Sequence, residues 1–192
     1  MASIKDLQII LLLSGKRKSG KDYISAKLTG LLNDTCTLIR ISGPLKKKYA
    51  DINNLNYEEL LTDNGYKETY RKQMIIWSDE IRKTDPGYFC KVACEEAIPK
   101  KIWIVSDIRR KTDINWFQSN YGKMVKKVRI IADDDVRKQR GWKFTKGVDD
   151  AESECDLDDY NDWDLIISNN NSSDFENGIG KILTLINESI QG

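Results

Sequence analysis

Five short apolar runs rich in β-branched residues recur along the chain, with helix-like segments between them. The runs are LQIILLLS (7–14), TCTLIRIS (35–42), KIWIVSD (101–107), MVKKVRIIA (124–132) and WDLIIS (163–168). Strands that are apolar on both faces must be covered on both sides, and their alternation with helices indicates a parallel sheet between two helical layers. With 192 residues, of which 40% are hydrophobic, we predict one three-layer α/β domain around a five-stranded parallel sheet.

The longest interval between runs, residues 43–100, is predicted to hold two helices. The first covers YKETYRKQMIIWSDEIRK (66–83), and the second opens at TDPGYFCKVACEEA with Asp85 as its N-cap and Pro86 at its first helical position. A further helix is predicted over KTDINWFQSNY (111–121). The last helix, FENGIGKILTLINESI, carries four apolar residues on the face that we expect to pack on the sheet: Ile179, Ile182, Leu183 and Ile186.

The composition argues against several functional classes. Basic and acidic residues nearly cancel, at 31 against 30, so the chain offers no overall positive field for nucleic acid or an anionic membrane. The chain contains no histidine, which excludes Ser-His-Asp and Cys-His catalytic machinery. Its four cysteines lack paired metal-ligand spacing, so we interpret them as structural.

The segment GKRKSGKD (15–22) follows the first apolar run and has the spacing of a phosphate-binding loop. In such a loop, backbone N–H groups and the N-terminus of the next helix bind phosphate, and a lysine, here Lys21, accompanies the transferred group. The alternative is a basic turn that merely connects strand to helix. The strand–loop–helix context favours phosphate binding.

Asp22 stands where such loops usually carry a hydroxyl residue. A carboxylate can coordinate Mg²⁺ directly or through water, but its charge beside phosphates requires compensation. Lys16, Arg17 and Lys18 supply that compensation. Three consecutive cations exceed what a triphosphate alone requires, so we predict two anionic substrates that face each other.

The third run leads into the sequence VSDIRR. Ligands gather at the carboxyl ends of parallel strands, so Asp107, Arg109 and Arg110 are expected beside the loop. Asp107 could hold Mg²⁺ through its water shell, and the two guanidinium groups could clamp an anionic acceptor. The alternative is a surface salt-bridge cluster.

A candidate lid follows the fourth run. The segment DDDVRKQRGW carries Arg137 and Arg140 three residues apart, which predicts that they share one helix face and close over the transferred phosphoryl group. The acidic segment GVDDAESECDLDDYNDWD (147–164) comes next, and we interpret it as a solvated loop. Its charge could also hold the arginine-bearing lid open.

A phosphorylated acceptor would explain the lack of histidine. The second pKa of a phosphate monoester is about 6, so its oxygen is already an anionic nucleophile at neutral pH and needs no base. Catalysis then requires that two anions are positioned in line while Lys21, Mg²⁺ and arginines screen their repulsion.

Seven segments, spanning residues 11 to about 170, together resemble the animal-type phosphomevalonate kinase family. They are LLLSGKRKSGKD, RISGPLKKKYA, YKETYRKQMIIW, DPGYFC, WIVSDIRR, QRGWKFTKGVDDAESECDLD and DWDLIISNN. The resemblance implies a nucleoside-monophosphate-kinase-like P-loop fold. It also implies ATP-dependent phosphorylation of 5-phosphomevalonate to 5-diphosphomevalonate, with release of ADP, in the mevalonate pathway of isoprenoid and sterol synthesis.

The residue patterns and the resemblance together define the expected site. The residues expected to bind ATP are Lys16, Arg17, Lys18, Ser19, Gly20, Lys21, Asp22, Arg137, Arg140 and Asn170. The residues expected to bind the acceptor are Arg71, Arg82, Arg109, Arg110 and Asn169. The expected catalytic residues are Lys21, Arg17, Arg110 and Arg140, and the expected Mg²⁺ ligands are Asp22 and Asp107.

The expected domain is a single P-loop kinase unit with three parts. The core comprises about 1–43, 101–132 and 160–192, the acceptor-binding helical region about 44–100, and the lid about 133–159. We expect a monomer because no heptad seam is present. We expect a cytosolic location because no signal peptide or membrane-length apolar run is found and the chain ends Ile-Gln-Gly, unlike a peroxisomal address.

Two other functions remain open from the sequence. One is a kinase for a different phosphorylated acid or for a nucleoside monophosphate. A nucleotide acceptor would need a base-recognition pocket between Pro44 and Lys100. The other is an ATP-binding regulatory protein that keeps the fold without turnover.

Overall fold

A computed structural model of the protein describes residues 6–62 and 65–191. Residues 1–5, 63–64 and 192 lie outside the described part of the chain. The predicted core and acceptor-binding segments include these positions, and Gly192 belongs to the C-terminal tripeptide considered above.

The described residues form one five-stranded sheet in the order β2-β3-β1-β4-β5, and every neighbouring pair is parallel. The strands are β1 (Ile9–Ser14), β2 (Cys36–Ile39), β3 (Ile102–Ile108), β4 (Val125–Ile131) and β5 (Leu165–Ser168). The predicted fold class is therefore confirmed. Because β1 lies between β3 and β4, the segments that follow these three strands share the carboxyl edge of the sheet, where α/β proteins bind ligands.

Nine α-helices accompany the sheet in the described part of the chain. They are α1 (Lys21–Leu32), α2 (Ser42–Asn53), α3 (Tyr57–Leu61), α4 (Gly65–Thr84), α5 (Tyr88–Glu95), α6 (Lys111–Tyr121), α7 (Asp134–Gln139), α8 (Glu152–Cys155) and α9 (Ser172–Gln191). Among these residues, we find no helix with both the length and the apolar character to cross a membrane.

The interval between β2 and β3 differs from its prediction, because it holds four helices rather than two. The additional helices are α2 and α3. The sequence of α2, SGPLKKKYADIN, is too polar to show a helical apolar face. It nevertheless buries Tyr49 and Ala50, which join Leu60 and Met74 in a small separate cluster.

The start of α5 also differs from its prediction. The helix begins at Tyr88 rather than at Pro86. The Asp85 carboxylate accepts from the N–H of Gly87 at 3.1 Å, and the N–H of Tyr88 donates to the Asp85 carbonyl at 3.2 Å. Asp85 therefore closes a turn that precedes the helix instead of capping the helix itself.

The hydrophobic core has two halves, one on each face of the sheet. On β1, Ile9, Leu11 and Leu13 face α1 and α9, whereas Ile10 and Leu12 face α5 and α6. This alternation explains why the strand is apolar at successive positions. The predicted packing face of α9 is confirmed, since three of its residues are buried and the fourth packs beside them: Ile179, Ile182, Ile186 and Leu183.

The contact between Gly87 and α6 gives a test of the packing. A Cβ at Gly87 would overlap the Trp116 ring, whereas a Cβ at Gly30 in α1 would meet open space. We predict that Gly87→Ala lowers the free energy of unfolding by about 1–3 kcal/mol through overpacking. Gly30→Ala, the matched control, should raise it by about 0.5–1 kcal/mol. Urea denaturation measures both changes, and an unchanged Gly87→Ala protein would contradict the packing described.

Candidate active site

The loop between β1 and α1 is folded tightly enough that two of its residues must be glycine. A Cβ at Gly15 would overlap the Ile130 carbonyl and lie 2.7 Å from Ser19 Oγ. Gly20 has a φ of +96°, and a Cβ there would overlap the Asn169 amide. The glycine spacing seen in the sequence thus corresponds to close approaches of backbone to neighbouring groups.

Lys21 is the first residue of α1, and its ammonium lies within the loop. Its Nζ donates to the carbonyl of Gly15 and, at 3.1 Å, to that of Lys16. Burial, and secondly the Arg109 guanidinium, lower the pKa of Lys21 to about 7. A phosphate bound beside this buried amine would favour its protonated, cationic form.

Arg137 and Arg140 contact the backbone of the loop. Arg137 Nε donates to the Arg17 carbonyl at 2.8 Å, and Arg140 Nη1 donates to the Ser19 carbonyl at 3.3 Å. The predicted shared helix face needs correction, because α7 ends at Gln139 and Arg140 follows it. Both side chains still converge on the loop.

The two asparagines after β5 have different environments. Asn169 is buried, and its Nδ2 donates to the Ser19 carbonyl at 2.8 Å while its own carbonyl accepts from Arg140 at 2.7 Å. Asn170 instead pairs with Asp133, accepting from its N–H at 2.8 Å and donating to its carboxylate at 3.0 Å. Neither residue lines the cavity that opens beside the loop.

A cavity of about 470 Å³ opens beside the loop. Nine of the sequence-predicted residues line it: Arg17, Lys18, Lys21, Asp22, Arg71, Arg82, Asp107, Arg109 and Arg110. In all, ten basic and four acidic side chains of the described residues line this cavity. It is therefore suited to anionic ligands.

Each arginine predicted to contact the acceptor has an acidic partner. Arg109 pairs with Glu154, and Arg71 with Glu68. Arg82 Nη1 lies 2.7 Å from Asp113 Oδ1. Arg110 pairs with Asp79 and, at 2.8 Å, with Glu152. These carboxylates hold the guanidinium groups at the cavity wall.

Asp22 and Asp107, the predicted Mg²⁺ ligands, both line the cavity. The carboxylate of Asp107 also accepts from the N–H groups of Ile41 and Ser42, at 2.8 and 2.9 Å, and so joins the end of β3 to the start of α2. Mg²⁺ in kinases is commonly held by one or two carboxylates together with substrate phosphates, and this pair fits that pattern. Among the residues described, no cluster of three or more acidic, cysteine or histidine side chains could hold a metal ion.

The interpretation of the acidic segment as a solvated loop was wrong. Asp149 pairs with Arg17 at 2.8 Å, and Asp158 with Lys16 at 2.7 Å. Glu154 accepts from the Arg17 N–H at 3.2 Å besides pairing with Arg109. Composition alone missed this arrangement because the cations that pair with these carboxylates lie 29 or more residues away along the chain.

Several cavity residues escaped the sequence analysis, among them Lys46, Ser106 and Asp113. Lys46 lies in α2, and burial and then Lys67 lower its pKa to about 8. Its position just beyond the carboxyl end of β2 is the signal that could have indicated it. Ser106 and Asp113 also line the cavity, flanking the predicted Arg109 and Arg110 along the chain.

Residues 13–123 match the model of a family described as phosphomevalonate kinase. A phosphomevalonate kinase of Drosophila melanogaster is 48% identical over 172 residues, which cover 87% of this chain and 91% of that relative. The chain belongs to the phosphomevalonate kinase family. The family predicted by the seven sequence segments is thus confirmed.

Two solved structures are similar to this chain in fold. TT1252 from Thermus thermophilus has a TM-score of 0.54 at 15% identity, over 93% of this chain and 97% of that one. The shikimate kinase from Acinetobacter baumannii, solved in complex with shikimate, has a TM-score of 0.51 at 13% identity, over 96% of both chains. At these identities the likeness concerns the fold.

The lowered pKa of Lys21 predicts a pH dependence of stability. Between pH 7 and pH 10.5 the unfolded chain keeps a proton on Lys21 that the folded, ligand-free protein has lost, so the free energy of unfolding should rise with pH across this interval. Lys21→Met should lack this contribution. Urea denaturation of both proteins at pH 7 and pH 9 measures the difference. The contribution of Lys46, whose pKa is also lowered, is the same in both proteins and drops out of the comparison. An equal pH dependence in both proteins would contradict the assignment.

Proposed function

We propose that the chain transfers the γ-phosphoryl group of ATP to 5-phosphomevalonate, forming 5-diphosphomevalonate and ADP. Besides membership of the family, one observation carries this proposal: ten basic and only four acidic side chains line the cavity beside the phosphate-binding loop. Such an excess suits two phosphorylated substrates that must be brought together against their repulsion.

On the nucleotide side, residues Lys16 to Asp22 bind the phosphates of ATP. Lys21 carries the charge that follows the transferred group. Three side chains fix the shape of the loop by donating hydrogen bonds to its carbonyl groups: Arg137, Arg140 and Asn169. Asn170 pairs with Asp133 and so holds the segment that leads into α7. Asp22 and Asp107 would hold Mg²⁺, which would supply positive charge to screen the phosphates.

On the acceptor side, the four arginines bind the phosphate and carboxylate of 5-phosphomevalonate. Arg109 and Arg110 follow β3, the neighbour of β1 in the sheet, whereas Arg71 and Arg82 come from α4. The acceptor phosphate is an anionic nucleophile at neutral pH, so transfer needs no protein base. This agrees with a chain that contains no histidine.

Substrate binding must exchange ion pairs within the protein. Glu154 pairs with Arg109, and Asp149 with Arg17, so phosphate oxygens compete with these carboxylates for the same guanidinium groups. We infer that the segment of residues 133–159 moves as a lid when the substrates bind.

We further propose that the protein is monomeric and cytosolic.

The first prediction concerns the reaction itself. With Mg-ATP, we expect ADP release in the presence of 5-phosphomevalonate, and none with mevalonate or a panel of nucleoside monophosphates. Turnover with a nucleotide would show that the proposed acceptor is wrong, and no turnover with any acceptor would favour a regulatory protein.

Lys21→Met should lower kcat by roughly 10³-fold through loss of a transition-state cation. Lys27→Met, at an exposed position of the same helix, should remain active.

A second prediction separates the two substrate sides. Arg110→Ala should raise KM for the acceptor about 30-fold or more, since truncating one member of a buried charge pair costs about 2–5 kcal/mol. Its effect on KM for ATP should be much smaller. Arg140→Ala should show the opposite order, because Arg140 contacts the loop. Steady-state kinetics with each substrate varied in turn measures both variants, and equal shifts of the two KM values would overturn these roles.

A further inference from the structure

We propose that Asp113 is a positioning residue that holds the acceptor-side arginines in one arrangement. The inference rests on the proposed function, because it takes Arg82, Arg109 and Arg110 as the groups that meet the acceptor. No catalytic role is assigned to the carboxylate itself. Its action is on the three arginines and not on the reacting atoms.

The carboxylate of Asp113 contacts all three arginines at once. Oδ1 accepts from Arg82 Nη1 at 2.7 Å. Oδ2 accepts from the backbone N–H groups of Arg109 and Arg110 at 3.3 and 3.2 Å. One side chain thereby joins the segment after β3 to an arginine of α4, 31 residues earlier in the chain.

Burial makes this arrangement rigid. Asp113 is 1% exposed, and a buried carboxylate is tolerated only when its charge is paired and its oxygens are hydrogen-bonded. The Arg82 guanidinium supplies the charge, and it is itself confined by the Phe89 ring, 5.1 Å from its central carbon. Neither group can move far without leaving the other buried and unpaired.

Helix capping alone does not account for Asp113. Asp113 lies three residues after Arg110, in the first turn of α6, where a carboxylate that accepts backbone N–H groups is common. The contact with Arg82 is not part of such a cap. The excess contact therefore points to a role in placing Arg82.

The hydrogen bonds of Arg82 show how strongly its orientation depends on Asp113. Its Nη1 is directed to Asp113, whereas its buried Nε has no hydrogen-bond partner among the described residues. The buried hydroxyl of Ser106, which also lines the cavity, has none either in that part of the chain. Because Nε forms no hydrogen bond to the described residues, the orientation of the Arg82 guanidinium depends chiefly on its contacts with Asp113 and the Phe89 ring.

The test is the ratio of effects on the two substrates. Asp113→Asn keeps the shape but removes the charge, and should raise KM for the acceptor tenfold or more while KM for ATP changes less than twofold. Asp162→Asn, which removes an exposed carboxylate paired with Lys127, is the matched control and should change neither. Equal shifts in both KM values, or an unchanged acceptor KM, would overturn the proposal.

A double-mutant cycle with Arg82→Met tests the route of the effect. If Asp113 acts in part through Arg82, the double variant should raise acceptor KM by clearly less than the product of the two single effects. Multiplicative effects would contradict this route. If Asp113→Asn does not fold, Asp113→Glu is measured in its place with the same expectation for the two KM values. Failure of both variants to fold would show a purely structural role and reject the proposal.

The same experiment separates this inference from the proposed function. The wild-type acceptor is established first with the panel of acceptors. If another phosphorylated compound turns over, the function proposed above fails, and the KM ratio is then measured with that compound. Selective loss of its binding in Asp113→Asn would still support the positioning role.

Discussion

Mutual repulsion among the cations of one cavity is the constraint on which the rest of this site depends. Ten basic side chains line a space of about 470 Å³, and the pKa values of Lys21, Lys46 and Arg109 are all lowered, chiefly by burial. Such a cluster is compatible with the folded, ligand-free protein only if carboxylates pair with the individual cations and offset their repulsion. The ion pairs of Arg109, Arg110 and Arg82 serve that purpose.

These carboxylates also connect the elements that meet at the edge of the sheet. Asp107 joins the end of β3 to the start of α2, and Asp113 joins the start of α6 to α4. Glu154 joins the acidic segment to both the loop and Arg109. The acidic side chains therefore determine the positions of the cationic side chains. The geometry of the cavity depends on these carboxylates as much as on the residues that would contact a substrate.

The sequence predicted the parts of this structure that follow from local patterns. The five strands are recognisable because each is a short run rich in apolar and β-branched residues, and the loop because its glycines and lysine have a fixed spacing. Helix α2 was missed because its lysines mask the few residues that it buries, and the start of α5 because Pro86 and Gly87 form a turn first. The position of Asp113 opposite Arg82 depends on how the tertiary structure places the start of α6 relative to α4, which no local pattern encodes.

The overall charge of the chain conceals the charge of its site. With 31 basic and 30 acidic residues the protein has almost no net charge, yet the lining of one cavity is strongly positive. Since Lys16, Arg17, Arg109 and Arg110 are paired in the ligand-free protein, substrate binding by the residues proposed above exchanges one anion for another. The affinity for a substrate then reflects the difference between its phosphate groups and the carboxylates it displaces. A dianionic phosphate that meets several guanidinium groups at once gains from this exchange, whereas a singly charged ligand gains little, and selection for phosphorylated acceptors follows from that difference.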